Sequence, residues 1–118
     1  MDQIQIRCAK DASGTCLLHL EGPLTLATLF EFQNAVRSEN SDGLIVALEA
    51  VPYMDSAGLG AILGAYASCQ RHGRKFALVG VSSRVLTLLQ VSKVDTLVPR
   101  YATVEAAQAE WGSTVTQA

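Results

Sequence analysis

Charged side chains are scarce in this chain, 17 % of 118 residues against 49 % hydrophobic ones. That balance excludes a disordered polyelectrolyte and leaves ample apolar material for one core. Nor is there an excess of positive charge. With a formal net charge of -2, the surface does not gather phosphate backbones or anionic head groups by charge alone, so nucleic acid is not an expected partner. The cysteines Cys8, Cys16 and Cys69 are odd in number and lack Cys-x-x-Cys spacing, which argues against a zinc site or a redox motif. Cys8 and Cys16 could face each other across a hairpin, but the expectation is three reduced thiols serving as small buried hydrophobes. No metal or cofactor is expected. No run of eighteen apolar residues occurs, and Met1-Asp2-Gln3-Ile4-Gln5 has neither a basic nor an apolar leader character, so the expected location is the cytoplasm without membrane insertion.

What is present reads as one domain over residues 1–111 with a flexible tail over 112–118. Gln3 to Cys8 alternates with period two, as an edge strand does, and a turn at Asp11-Ala12-Ser13-Gly14 leads to a more buried strand over Thr15–Leu20. Leu26, Leu29, Phe30 and Phe32 through Val36 follow helical spacing. Leu44–Leu48 and Phe76–Gly80 are short apolar runs of the kind buried on both faces of a parallel sheet. Helices are predicted over Ala57–His72, ending at Gly73, from Ser82 or Ser83 through about Gln90, and from a Thr103 cap through Trp111, with a short strand at Leu97-Val98. The sum is α/β: a mixed sheet of about five strands begun by an antiparallel hairpin, with about four helices.

Val51 through Gly60 follows a central strand, where open α/β sheets carry their functional loops. Ser56 stands where a helix N-cap is expected, a structural role worth about 1 kcal/mol. Gly58 and Gly60 are poor choices in a first helical turn, each costing about 1 kcal/mol relative to alanine. Close approach of another molecule is one reason to keep them small. On a helical wheel Leu59, Ile62, Leu63, Tyr66 and Gln70 share the side that faces the sheet, leaving Ala57, Gly60, Ala61, Gly64 and Ser68 on the other. That second stripe is small and uncharged, and suits either a docking partner or a further structural layer; the two differ in the burial they predict. A phosphate on Ser56 would add about -1.5 to -2 charges at a helix N-terminus, where amides and dipole stabilise an anion. Binding would then change while the fold did not.

These residues resemble the STAS-domain family, and within it the bacterial anti-sigma factor antagonists. The resemblance extends over Glu21-Gly22-Pro23-Leu24-Thr25, Leu48-Glu49-Ala50-Val51, Asp55-Ser56-Ala57-Gly58-Leu59-Gly60, Arg74 through Ser82 and Val91-Ser92-Lys93-Val94-Asp95. It implies that Ser56 is phosphorylated by a partner anti-sigma factor, a serine kinase that holds the ATP, that the unphosphorylated protein binds this partner, and that a phosphoserine phosphatase resets the switch. With the small stripe, it implies a partner-binding surface of Thr25, Met54, Asp55, Ser56, Ala57, Gly58, Gly60, Ala61 and Gly64. The chain departs from the family pattern at Thr25, where an acidic residue is common, at Pro23, at Glu49 in place of Asp, and at Ala57, which leaves Ser56 the only acceptor in the loop.

An enzyme is not expected: His19 falls in a strand, His72 at the far end of the helix from Ser56, and no Gly-x-Ser-x-Gly elbow is present. His72 suits a helix C-terminal cap. Arg71-His72-Gly73-Arg74-Lys75 reads as a solvated helix end, and no phosphate-binding loop motif occurs. The alternative function is a STAS subunit of a lipid-transport or other transporter-associated assembly, docking through the same face.

Overall fold

The apolar run around Leu44–Leu48 becomes the centre of the molecule. In the computed structural model, which describes the backbone of residues 3–116 and the side chains of residues 3–111, strand β3 (Gly43–Ala50) has its first six residues fully buried. A strand between two layers needs apolar side chains on both faces, and each fully buried Leu or Val contributes about 1.5–3 kcal/mol. Leu44, Val46 and Leu48 enter one core, Ile45 and Ala47 the other.

Strands β1 (Gln5–Lys10) and β2 (Cys16–Glu21) pair antiparallel, and β2, β3, β4 (Lys75–Val79) and β5 (Arg100–Tyr101) run parallel in the order β1-β2-β3-β4-β5. The predicted mixed five-stranded sheet is therefore present. Helices α1 (Leu29–Arg37), α2 (Ser56–Arg71) and α3 (Ser83–Val91) supply Phe32, Ile62, Leu89 and their neighbours to the larger core on one face. Helix α4 (Val104–Thr116) covers the opposite face through Ala107, Val104 and Trp111.

The ends follow local chemistry. Ser82 caps α3 by accepting from the Val85 amide at 3.2 Å, and Thr103 accepts from the Ala106 amide at 3.1 Å at the start of α4. His72 caps the carboxyl end of α2 with Nδ1 2.9 Å from the Ser68 carbonyl, and Gly73 then turns the chain at φ +66.

Several expectations need correction. The last strand lies at Arg100-Tyr101 rather than Leu97-Val98: Val98 is spent on the core, Leu97 is exposed, and pairing begins at Pro99, whose carbonyl accepts from Leu78. Arg74 is not a solvated helix end. Its guanidinium pairs with Glu39 and bonds the Ser41 carbonyl at 2.6 Å, fastening the chain after α2 to the loop after α1. Cys8 is exposed, whereas Cys16 and Cys69 are buried as expected. Helix α4 continues past Trp111 to Thr116; of the tail expected over 112–118, the side chains and the whole of residues 117–118 lie outside the described residues. Among the described residues no helix is long and apolar enough to cross a membrane.

Candidate functional site

Two loops at the carboxyl end of the central strands zip together before α2 begins. Leu24 and Met54 form a parallel bridge; the Leu24 amide donates to the Tyr53 carbonyl at 3.0 Å and the Asp55 amide to the Leu24 carbonyl at 3.3 Å. This ladder fixes where the helix starts. Asp55, in extended conformation, is the N-cap: its Oδ1 accepts from the Gly58 amide at 2.8 Å. Its other oxygen, Oδ2, accepts from the Leu26 amide at 3.1 Å. One carboxylate thus closes the helix terminus and ties down the loop ahead of α1.

Ser56 is therefore the first helical residue and not the cap expected for it. Its side chain is exposed, and its hydroxyl makes no hydrogen bond to any described residue. Asp55 has taken the Gly58 amide and the Asp55 carbonyl takes the Leu59 amide at 2.9 Å, so the amides of Ser56 and Ala57 are the orphan donors left at the helix end. A free hydroxyl beside orphan amides and the positive end of the dipole can carry an anion without displacing any existing bond.

The expected surface residues divide by burial. Ser56, Gly60 and Gly64 are exposed, and Asp55 and Ala57 half-buried. Thr25, Met54, Gly58 and Ala61 are buried in the free domain and shape the site from beneath. Gly58 has an internal reason to be glycine, since a Cβ there would sit 2.1 Å from the Leu24 carbonyl oxygen. Gly60 and Gly64 have no such neighbour within 4 Å, so their small size is not demanded by packing within the chain. Thr25 bonds locally, its hydroxyl accepting from the Ala27 amide at 3.2 Å while its own amide donates to Thr28 at 2.9 Å. Gln70, assigned to the sheet side, is exposed.

Three apolar residues beside this surface were not singled out by the sequence. Leu26 is 67 % exposed, Phe30 64 % and Tyr53 46 %, far more than the core residues Leu29 and Phe32 between them. Leu29, Phe32 and Val36 mark the inner face of α1, while Phe30 in its first turn and Leu26 in the turn before it point outward. A separate cleft of about 620 Å³ lies between α1 and α2, lined by Gln33, Arg37, Gly64, Ser68 and His72 among others.

Neither histidine serves Ser56. His19 lies within β2 opposite Ala47, and His72 ends the sixteen-residue α2, roughly 24 Å from its start at 1.5 Å per residue.

The STAS-domain profile matches residues 4–107, nearly all of the sheet and its helices. The chain belongs to the STAS-domain family. This STAS domain is 28 % identical over 92 residues to the anti-sigma F factor antagonist of Paenibacillus polymyxa, covering 75 % of this chain and 79 % of that protein. Its fold is similar to that of an anti-sigma factor antagonist from Mycobacterium paratuberculosis, with TM-score 0.81, 20 % identity, and 92 % and 94 % of the two chains covered. It is also similar in fold to the Bacillus cell fate determinant SpoIIAA in its phosphorylated form, with TM-score 0.71, 19 % identity, and 90 % and 98 % covered.

Proposed function

We propose that this STAS domain is an anti-sigma factor antagonist, a cytoplasmic binding protein with no catalysis of its own, whose docking to an anti-sigma factor is switched by phosphorylation of Ser56. The observation that carries the reading is the Ser56 hydroxyl, exposed at the first position of α2 and released from capping by Asp55. The name borne by the Paenibacillus polymyxa relative supports the class of partner.

In the unphosphorylated state the partner lies on Gly60 and Gly64, flanked by Leu26, Phe30 and Tyr53, a surface with small and apolar side chains and little charge. The anti-sigma factor is a serine kinase that holds ATP; the Ser56 hydroxyl gives up its proton to a base of the kinase as its oxygen attacks the γ-phosphorus, and the bond to the leaving ADP breaks. The phosphate then stands beside the Asp55 carboxylate. The amides of Ser56 and Ala57 and the helix dipole stabilise it, so the domain keeps its fold while the partner meets new bulk and negative charge. A phosphoserine phosphatase restores the binding form by hydrolysis.

The test is titration of the anti-sigma factor kinase with Ser56→Ala and Ser56→Asp, alongside mass spectrometry of the wild type incubated with kinase and ATP. Ser56→Ala is expected to bind as the unmodified protein does and to take no phosphate. Ser56→Asp is expected to bind at least about tenfold more weakly, a difference of about 1.4 kcal/mol, with an unchanged circular dichroism spectrum. Equal affinity of the two variants would sink the switch.

A further inference from the structure

The hairpin that opens the sheet brings two thiols together. Cys8 lies opposite Leu18 and Cys16 opposite Lys10, which makes the two cysteines diagonal neighbours on the same face of the sheet. Their sulfurs stand 2.8 Å apart, less than about 1 Å beyond the ~2.05 Å of a disulfide bond. They differ in access: Cys8 is exposed, while Cys16 is buried. Cys8 also forms part of the wall of a shallow cavity of about 290 Å³, shared with Lys10, Leu18, Ser38 and Asn40, through which a small molecule can reach its sulfur.

We propose that Cys8 and Cys16 form a redox modification site, a dithiol that a low-molecular-weight disulfide oxidises to an intramolecular bridge between β1 and β2. Access sets the order of events. The Cys8 thiolate, having lost its proton to solvent, attacks one sulfur of the oxidant, whose S–S bond breaks and releases one thiolate; the other half stays on Cys8 as a mixed disulfide. The Cys16 sulfur, likewise deprotonated, attacks the Cys8 sulfur and expels the second half. Two electrons pass from the protein sulfurs to the oxidant, two protons leave Cys8 and Cys16, and the two released thiolates take up two protons. Burial raises the Cys16 thiol above the ordinary range, with the Cys8 hydrogen bond and the Glu39 charge adding to the effect and the Lys10 charge opposing it. The second step is accordingly the slow one, and Lys10 is placed to assist it.

Purified full-length protein is equilibrated with excess oxidised glutathione, remaining thiols are alkylated, and peptides are mapped by mass spectrometry without reduction. The wild type is expected to lose two hydrogens and yield a peptide pair joined through Cys8 and Cys16, and Cys69→Ser to do the same. Cys16→Ala, which keeps the buried position apolar, is expected to stop at glutathione on Cys8, and Cys8→Ser to form neither product. Wild-type protein that stops at the Cys8 mixed disulfide, that joins two chains through Cys8, or that leaves both thiols open to alkylation overturns the proposal.

Discussion

Asp55 holds the Leu26 amide across 29 residues of sequence, at 3.1 Å, with the carboxylate oxygen that its capping bond to Gly58 leaves over. The loop before α1 and the first turn of α2 are thereby one unit, and Ser56 sits on top of it. Asp55→Ala removes the cap and the tether together. A cap contributes about 0.5–2 kcal/mol and a hydrogen bond to a charged group about 1.5–3, so a loss of roughly 2–5 kcal/mol is expected in urea denaturation. Asp55→Asn keeps one acceptor oxygen and is expected to lose about half as much. A change within about 0.5 kcal/mol for Asp55→Ala would show that the carboxylate does not hold the two loops.

The three glycines of the loop and helix are expected to behave oppositely. Gly58→Ala places a methyl 2.1 Å from the Leu24 carbonyl oxygen and 2.8 Å from its carbon, both backbone atoms of the zipped loop. Backbone cannot rotate away, and overpacking of this kind costs about 1–3 kcal/mol. Gly60→Ala and Gly64→Ala meet nothing within 4 Å and are expected to stabilise the helix by up to about 1 kcal/mol each. Thermal melting of the three variants separates the cases; stabilisation by Gly58→Ala would contradict the close approach of Leu24.

The same contrast measures how much the sequence could say. Periodicity sufficed for β3 and for α2, because a strand buried on both faces must be an apolar run and a helix ending in His72-Gly73 carries its own stop signal. It did not suffice for the start of α2. Asp55 and Ser56 are both good capping residues, and the choice between them is made by the Leu24–Met54 bridge, a contact between segments thirty positions apart that no local window contains. The sequence suggests a visitor as the reason for Gly58 because no local window contains Leu24, whose carbonyl stands above it. Helical spacing groups the exposed Leu26 and Phe30 with the buried Leu29 and Phe32, since apolar residues at that spacing do not tell one face from two.

Asp11 should make stability depend on pH at the acid end. Its carboxylate accepts from the Ser13 hydroxyl at 2.6 Å, the Ser13 and Thr15 amides at 2.9 and 3.0 Å, and the Gln108 amide at 3.0 Å. These bonds, the Ser13 hydroxyl first, hold its carboxyl below the ordinary value against the opposing effect of burial. A carboxyl lowered on folding contributes stability that is present above its unfolded pKa, near about 3.9, and is lost as pH falls through the lower folded value. The stability difference between wild type and Asp11→Asn is expected to hold steady from about pH 7 to about pH 5 and to shrink below about pH 4. Solvent exposure of the turn keeps the effect small. A difference that stays constant down to about pH 3 in urea titrations would mean that these bonds do not favour the ionised form.

Phe30 offers the sharpest separation of binding from folding. It is 64 % exposed, so its ring contributes little to the core, and Phe30→Ser is expected to change stability by no more than about 0.5 kcal/mol. Leu26, at 67 %, stands four residues earlier at the tether of Asp55 beside Ser56. Exposed aromatic anchors at the centre of an interface commonly contribute 2 kcal/mol or more, roughly a thirtyfold change in affinity. Phe30→Ser is therefore expected to weaken binding of the anti-sigma factor by about ten- to thirtyfold while leaving Ser56 unmodified and the melting temperature in place. Leu26→Ser should do the same to a smaller degree, and the double variant should fall short of the product of the two if both side chains fill one partner pocket. Binding unchanged by Phe30→Ser would confine the docking surface to the small face of α2, at Gly60 and Gly64, and remove the apolar flank from the interface.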